Sequence, residues 1–344
     1  MNSHSNRDTW RMHGGGSRLP IRRIIGGMLC VLAACSPPKA DSATDEAGAR
    51  ERLPLRFVRT NVIRVDRRAP FSMFQPRFIA KVGSRVLVAE GDLSRVFSVN
   101  PDGSLVEEQE RRVPRALQKD AGANNSAQNL SAKTRRSIEQ ITDQTRGACL
   151  LSDSIMLTYG NAPSGTVMTR TEYRDDGAAT ATHIEVPFFR HHPASWMLRE
   201  AVWAGDGRQT CVAASLYSYG ISVYDGKEIT PRAIDYIEQV GEATVFTAVD
   251  TVGPSITKTE SVRAPGYGAR DIAIRNDSIY VLFVGKALRA SRSIDVYSAS
   301  QLRYLGTYEH YARVEAIATS LDEIVLLTKD RKGYLIETGQ FLSR

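Results

Sequence analysis

The sequence predicts an all-β protein, a β-propeller of six blades, carried behind an N-terminal export segment and a disordered tether. Three observations predict it. A unit of apolar strand, loop, alternating strand, turn and return strand recurs along the chain. Its last two copies lie about 45 residues apart, the period of a four-stranded propeller blade. A short basic and apolar segment near the N-terminus gives way abruptly to a Pro-, Ser- and Ala-rich stretch, which places the folded part at residues 53–344.

The N-terminal 34 residues read as a signal peptide, residues 1–34. Arg18, Arg22 and Arg23 are its basic start, and Ile24 to Ala34 its apolar core. That core is too short to span a bilayer, which needs about 20 apolar residues. Arg22-Arg23 without the rest of a twin-arginine motif favours the general secretory route. Leu32-Ala33-Ala34-Cys35 resembles the lipobox of bacterial lipoproteins. The resemblance implies cleavage before Cys35, a diacylglycerol on its thiol, and an acyl chain such as palmitate on the new amine. Several chains anchor durably where one binds only marginally. The alternatives are an ordinary signal peptide with a chance cysteine, or a buried core helix. Residues 35–52 are then the lipidated cysteine and a flexible tether; Ser36 to Gly48 is Pro-, Ser-, Ala- and acid-rich. Ser36, rather than Asp, after the cysteine points to the outer membrane in a diderm cell.

The repeat is clearest from Phe78 to Glu108. Arg85 to Ala89 is its first strand, Val96 to Val99 alternates, and Asn100-Pro101-Asp102-Gly103 is a turn, with Pro fixing φ and Gly supplying positive φ. A second copy carries Ile155-Met156-Leu157 and Val167 to Tyr173; a third, Cys211-Val212-Ala213 and Ile221 to Tyr224. The fourth has Ile279 to Leu282 and Ile294-Asp295-Val296-Tyr297, and the fifth Ile324 to Leu327 and Tyr334-Leu335-Ile336. Val245 to Thr259 could add a strand pair. Leu53 to Asp66 alternates and could close the ring by pairing with the C-terminal blade. Rings of about 4–8 blades are usual, and six fits this length. A pair of β-sandwiches is the competing architecture, with shorter and more even strand spacing. One polar segment, at about 114–147, reads as an insertion, with a helix over Ser131 to Thr145. It holds Arg115, Lys119, Lys133, Arg135, Arg136 and Arg146, and is either a solvated loop or a docking arm.

Composition narrows the partners. The net charge is +7, but residues 1–34 hold five arginines against Asp8, so only +3 stays on the remainder. The basic balance is therefore no argument for nucleic acid. Cys30 leaves with the signal, and Cys149 and Cys211 remain in the domain. Outside the cytoplasm they can pair; otherwise they are two buried thiols.

These strand–turn patterns resemble six-bladed propeller domains of the TolB-like and NHL-like kind, often found on secreted lipoproteins. The resemblance covers residues 53–344 and implies a binding or scaffold module at the cell envelope, with a protein or small-ligand partner. Propeller lactonases hold a calcium ion through Glu, Asn and Asp near the channel, which makes a calcium-dependent hydrolase the alternative. Glu90, Asp92, Asn161, Asp271 and Glu315 are candidates for such a site, and Asp271 and Glu315 occupy comparable places in adjacent copies. Hydrogen bonding between blades would use the same residues. His191-His192 would point to opposite faces of a strand, and His183 and His310 stand alone, as surface or satisfied core residues. Tyr217, Tyr219, Tyr267, Tyr308 and Tyr311 could line a binding surface or simply pack. No residue is assigned a catalytic role.

Overall fold

The computed structural model describes residues 53–65, 76–82, 84–90, 96–107, 145–152, 154–162, 165–174, 178–184, 201–206, 209–217, 220–225, 232–238, 240–241, 243–252, 255–285, 292–320 and 322–343. The signal peptide, the lipobox, the tether, Asp92, His191, His192 and Tyr219 lie outside these residues, as does the insertion up to residue 144.

All regular structure among the described residues is β. The chain opens with β1 (Leu55–Arg64). A first blade follows: β2 (Pro76–Val82), β3 (Arg85–Glu90), β4 (Val96–Val99) and β5 (Leu105–Glu107). The second is β6 (Thr145–Ser152), β7 (Ile155–Ala162), β8 (Gly165–Tyr173) and β9 (Ala179–Ile184). The third is β10 (Ala201–Gly205), β11 (Thr210–Ser215), β12 (Gly220–Asp225) and β13 (Arg232–Asp235). A hairpin, β14 (Thr244–Val252) and β15 (Ser255–Arg263), precedes the fourth blade: β16 (Tyr267–Arg275), β17 (Ser278–Gly285), β18 (Ser293–Ser298) and β19 (Arg303–Glu309). The last blade is β20 (Arg313–Thr319), β21 (Ile324–Asp330) and β22 (Gly333–Ser343), completed by β1.

The described residues thus hold five four-stranded antiparallel sheets and one two-stranded sheet. Six blades were expected from length. The Val245–Thr259 segment forms a pair, but the pair joins no blade, and β10 and β16 on either side of it pack directly on each other. At the C-terminal edge of the polar segment, Thr145 and Gly147 belong to β6, where they pair with Gly160 and Tyr159 of β7.

Each blade is a meander because its turns are tight. Gly103, at φ 86°, donates its N–H to Asn100 O at 2.9 Å and closes the β4–β5 turn. Asp102 accepts the Ser104 N–H at 2.9 Å in the same turn. Asn276 takes φ 53° in the β16–β17 turn, which Asn tolerates better than most residues.

The middle strands of the fourth blade, β17 and β18, are buried on both faces, β18 wholly. The alternation read in Ile294-Asp295-Val296-Tyr297 is therefore an alternation between two neighbouring blades. Ile294 and Val296 join a core with Leu326 and Ile317, while Tyr297 joins one with Val212 and Val223. Asp295, fully buried between them, takes the Thr307 hydroxyl. Inner strands follow one another around the axis, β2 against β20, β20 against β16, β16 against β10, and β10 against β6.

Closure comes from β1, which pairs antiparallel with β22 from Leu55↔Ser343 to Arg64↔Leu335. Leu53 O also accepts the Thr307 N–H at 2.7 Å, so the N-terminal end touches the fourth blade as well. Gly339 permits the pairing to be this close: a Cβ there would lie 2.2 Å from Val58 O.

Cys149 of β6 and Cys211 of β11 are disulfide-bonded, with Cα atoms 6.0 Å apart, in the core between the second and third blades. Leu151, Leu157, Met168, Trp203 and Tyr224 surround them. The bond closes a separation of 62 residues. In chain-entropy terms a loop of that size stabilises by roughly 4 kcal/mol. The double variant Cys149→Ala and Cys211→Ala is therefore expected to lose stability of that order, read from the midpoint and slope of guanidinium unfolding. An unchanged midpoint would show that the bond contributes nothing.

Candidate functional site

The inner strands of four blades line a narrow cavity of about 10 Å³. Its wall comprises Ile79 and Ala80 of β2, Ala204 and Gly205 of β10, Ile272 to Ile274 of β16, and Ile317 to Thr319 of β20. The residues are small or apolar because alternate side chains here must fit between blades that approach closely. A polar contact ties the wall together lower down, where the Thr319 hydroxyl donates to Ile274 O at 2.9 Å.

Asp271 and Glu315 sit at one end of this wall, on adjacent inner strands. Both are buried. Asp271 Oδ2 accepts the Ile317 N–H at 2.9 Å, a link from β16 to β20. Glu315 faces guanidiniums on both oxygens: Arg270 at Oε2, and Arg313 Nε at 3.0 Å from Oε1. This setting does not fit a calcium ion. Two guanidiniums already neutralise Glu315, and a divalent cation placed among them would meet like charge. Among the described residues no three His, Cys, Asp or Glu groups converge on one point. Glu90 ends β3 and Asn161 lies in β7, both described in backbone only.

Sequence reasoning missed a second cluster, in the closing blade. His310 and Glu337 are both buried, 27 positions apart, and His310 Nε2 lies 3.1 Å from Glu337 Oε1. The Thr328 hydroxyl donates to Glu337 Oε1 at 2.9 Å, and the Tyr311 hydroxyl approaches it at 3.3 Å. Arg59 Nε, brought in by β1, lies 2.7 Å from Glu337 Oε2 and stacks its guanidinium 4.9 Å from the Tyr311 ring centre. No local signal could have found this set, since its members come from β1, β21, β22 and the β19–β20 connection.

The polar groups of the cluster are turned toward one another. The Ala312 N–H donates to His310 Nδ1 at 3.0 Å, and Nε2 faces Glu337, so both ring nitrogens are engaged. Burial pushes the Tyr308 phenol up to about 12, with the Glu337 charge adding to it. Tyr311 is raised for the same two reasons. Both phenols therefore stay protonated at neutral pH. The remaining candidates are spread out. Tyr217 packs on Tyr267 with ring centres 5.7 Å apart, Tyr308 packs on Phe57 and Phe341, and His183 is exposed on β9.

The cluster makes stability depend on acid. Burial alone would raise the Glu337 carboxyl, but His310, the Thr328 hydroxyl and Arg59 outweigh it and hold the group below its usual 4.5. A depressed carboxyl stabilises the fold above its unfolded pKa, and that contribution fades as pH falls through the folded one. Stability is thus expected to drop on acidification below 4.5, and Glu337→Gln should lower stability at neutral pH while flattening that drop. Thermal unfolding of both proteins across this range measures it; identical slopes would assign the acid sensitivity elsewhere.

No family model and no curated protein matches the chain. Among solved structures it is similar to the β-propeller domain of Cps50 (Swd1) from Myceliophteria thermophila, at 7% identity and a TM-score of 0.38, over 82% of this chain and 99% of that one. It is similar to the PQQ-bound aldose sugar dehydrogenase of Streptomyces coelicolor at 11% identity and a TM-score of 0.34, over 83% and 98%. It is also similar to a catalytically inactive virginiamycin B lyase of Staphylococcus aureus with quinupristin, at 10% and 0.33, over 84% and 99%. Likeness at this level carries no activity across, and the propeller assignment rests on this chain's own sheets.

Proposed function

We propose that this chain is a lipid-anchored, extracytoplasmic binding or scaffold protein whose propeller is tethered to a membrane through Cys35. The observation that carries the reading is the Cys149–Cys211 disulfide in a chain that begins with an export-type segment. Disulfides persist in oxidising compartments and are rare in the cytosol. Leu32-Ala33-Ala34-Cys35 supplies the attachment point, and Ser36 to Gly48 the reach.

Binding is favoured over catalysis by what the buried acids and bases do. Asp271 and Thr319 link β16 to β20, Asp295 takes the Thr307 hydroxyl, and His310 and Glu337 fasten the closing blade. A calcium-dependent hydrolase would need several oxygen ligands around one ion, and Glu315 is instead surrounded by Arg270 and Arg313.

The test is anchorage. The full chain expressed in a diderm bacterium should incorporate labelled palmitate, lose its N-terminal 34 residues and sediment with the outer membrane. Cys35→Ser should abolish labelling and leave the N-terminus uncut. Equal membrane retention and an uncut N-terminus in both proteins would refute the anchor.

A further inference from the structure

The β14–β15 hairpin is built unlike the blades. Its pairing runs from Thr244↔Arg263 to Val252↔Ser255, and no blade strand pairs with either of its strands. At about 3.3 Å per residue, β14 is about 30 Å long. A two-stranded hairpin alone is marginally stable in water; a third strand or a packed face is what stabilises it. Over its described half, β14 has neither. Thr244, Phe246, Thr247, Ala248 and Val249 are exposed and Val245 is half-buried, so side chains that alternate between the two faces are open on both. Phe246 is 48% exposed and Val249 63%.

An unpaired sheet edge offers N–H and C=O groups to another chain, and charged residues or proline normally guard it. The sequence of β15 includes Lys258 and Glu260. The outer strands β1, β5, β13 and β19 each contain at least one charged residue as well. β9 has none, but its one large apolar residue, Ile184, is buried. β14 is different. From Thr244 to Val249 it has no charge and no proline, and its large apolar residues are open. That edge is also complementary to itself. Antiparallel pairing about a two-fold at Thr247 sets Val245 opposite Val249 of a second copy, Thr247 opposite Thr247, and Phe246 opposite Ala248. One face then carries an unbroken row of β-branched pairs, which pack well on a pleated surface. Such a contact closes on itself, and the charged β15 strands become the outer edges, which stops growth at two copies.

We propose that β14 is a dimerisation edge whose partner is a second copy of this chain, joined hairpin to hairpin in one four-stranded antiparallel sheet. The proposal goes beyond the anchoring reading and does not depend on it. Anchorage would confine the copies to one surface and so raise their effective concentration.

The test uses the full chain in detergent with Cys30→Ser and Cys35→Ser, which leaves no lipid site and no thiol outside the Cys149–Cys211 bond. In this background Thr247→Cys should oxidise to a disulfide-linked dimer, since opposed residues of an antiparallel pair have Cα atoms about 5.5 Å apart or less. Thr244→Cys should not, because in the same register it lies about 20 Å from its own copy. Without either added cysteine, sedimentation equilibrium across a concentration series should show monomer and dimer, and Val249→Lys should weaken the dimer about tenfold or more, with the circular dichroism spectrum unchanged. A monomer at every concentration overturns the proposal. So does equal cross-linking at positions 244 and 247, or a dimer that Val249→Lys leaves intact. If Val249→Lys does not fold, the two cysteine variants decide, and no preference for position 247 overturns it.

Discussion

The pairing of β1 with β22 holds together a ring in which blades lean on their neighbours. A propeller blade cannot bury its two faces alone. Ile272 of β16 packs toward the third blade, and Ala273, one residue on, toward the last. The last blade has three strands from the C-terminal part of the chain, and β1 supplies its fourth. Without that strand Phe57 would leave the core it shares with Leu326, Val314 and Ile294. Arg59, which neutralises one oxygen of the buried Glu337, would leave with it. Glu337 would keep His310 and the Thr328 hydroxyl but lose its guanidinium. Closure is thus apolar and ionic at the same seam.

Polar groups inside the ring follow one logic. A buried polar atom is costly unless paired, and several here are matched across strands or blades. Asp271 reaches the backbone of the next inner strand, Thr319 reaches back, and Tyr236 donates to Ser215 O at 2.6 Å between the third blade's strands and its exit. The covalent version of the same link is Cys149–Cys211.

The strand–turn unit was legible because the second and third strands of each blade are the most apolar and are joined to strong turns. Arg85 to Ala89, Ile279 to Leu282 and Ile324 to Leu327 all fall where the sequence placed them, in β3, β17 and β21. The inner strands were not legible as strands in their own right. Ile79-Ala80, Ile272-Ala273 and Ile317-Ala318 recur in three blades, a signal that was present, but the small residues give little hydrophobic contrast. Edge strands such as Ala179–Ile184 are almost wholly exposed and carry little apolar signal. The Val245–Thr259 segment, read as a possible strand pair, is the β14–β15 hairpin, a two-stranded sheet beside the five four-stranded ones.

By itself the sequence determined the all-β class, the turns and the segment that closes the ring, because each depends on neighbours in the chain. Only the tertiary structure decided that Cys149 meets Cys211, that His310 lies against Glu337 and Arg59, and that Glu315 answers Arg270. Those meetings depend on how far each blade turns about the axis and which face it gives its neighbour. That geometry is set by the packing of whole sheets, which no local run of residues encodes.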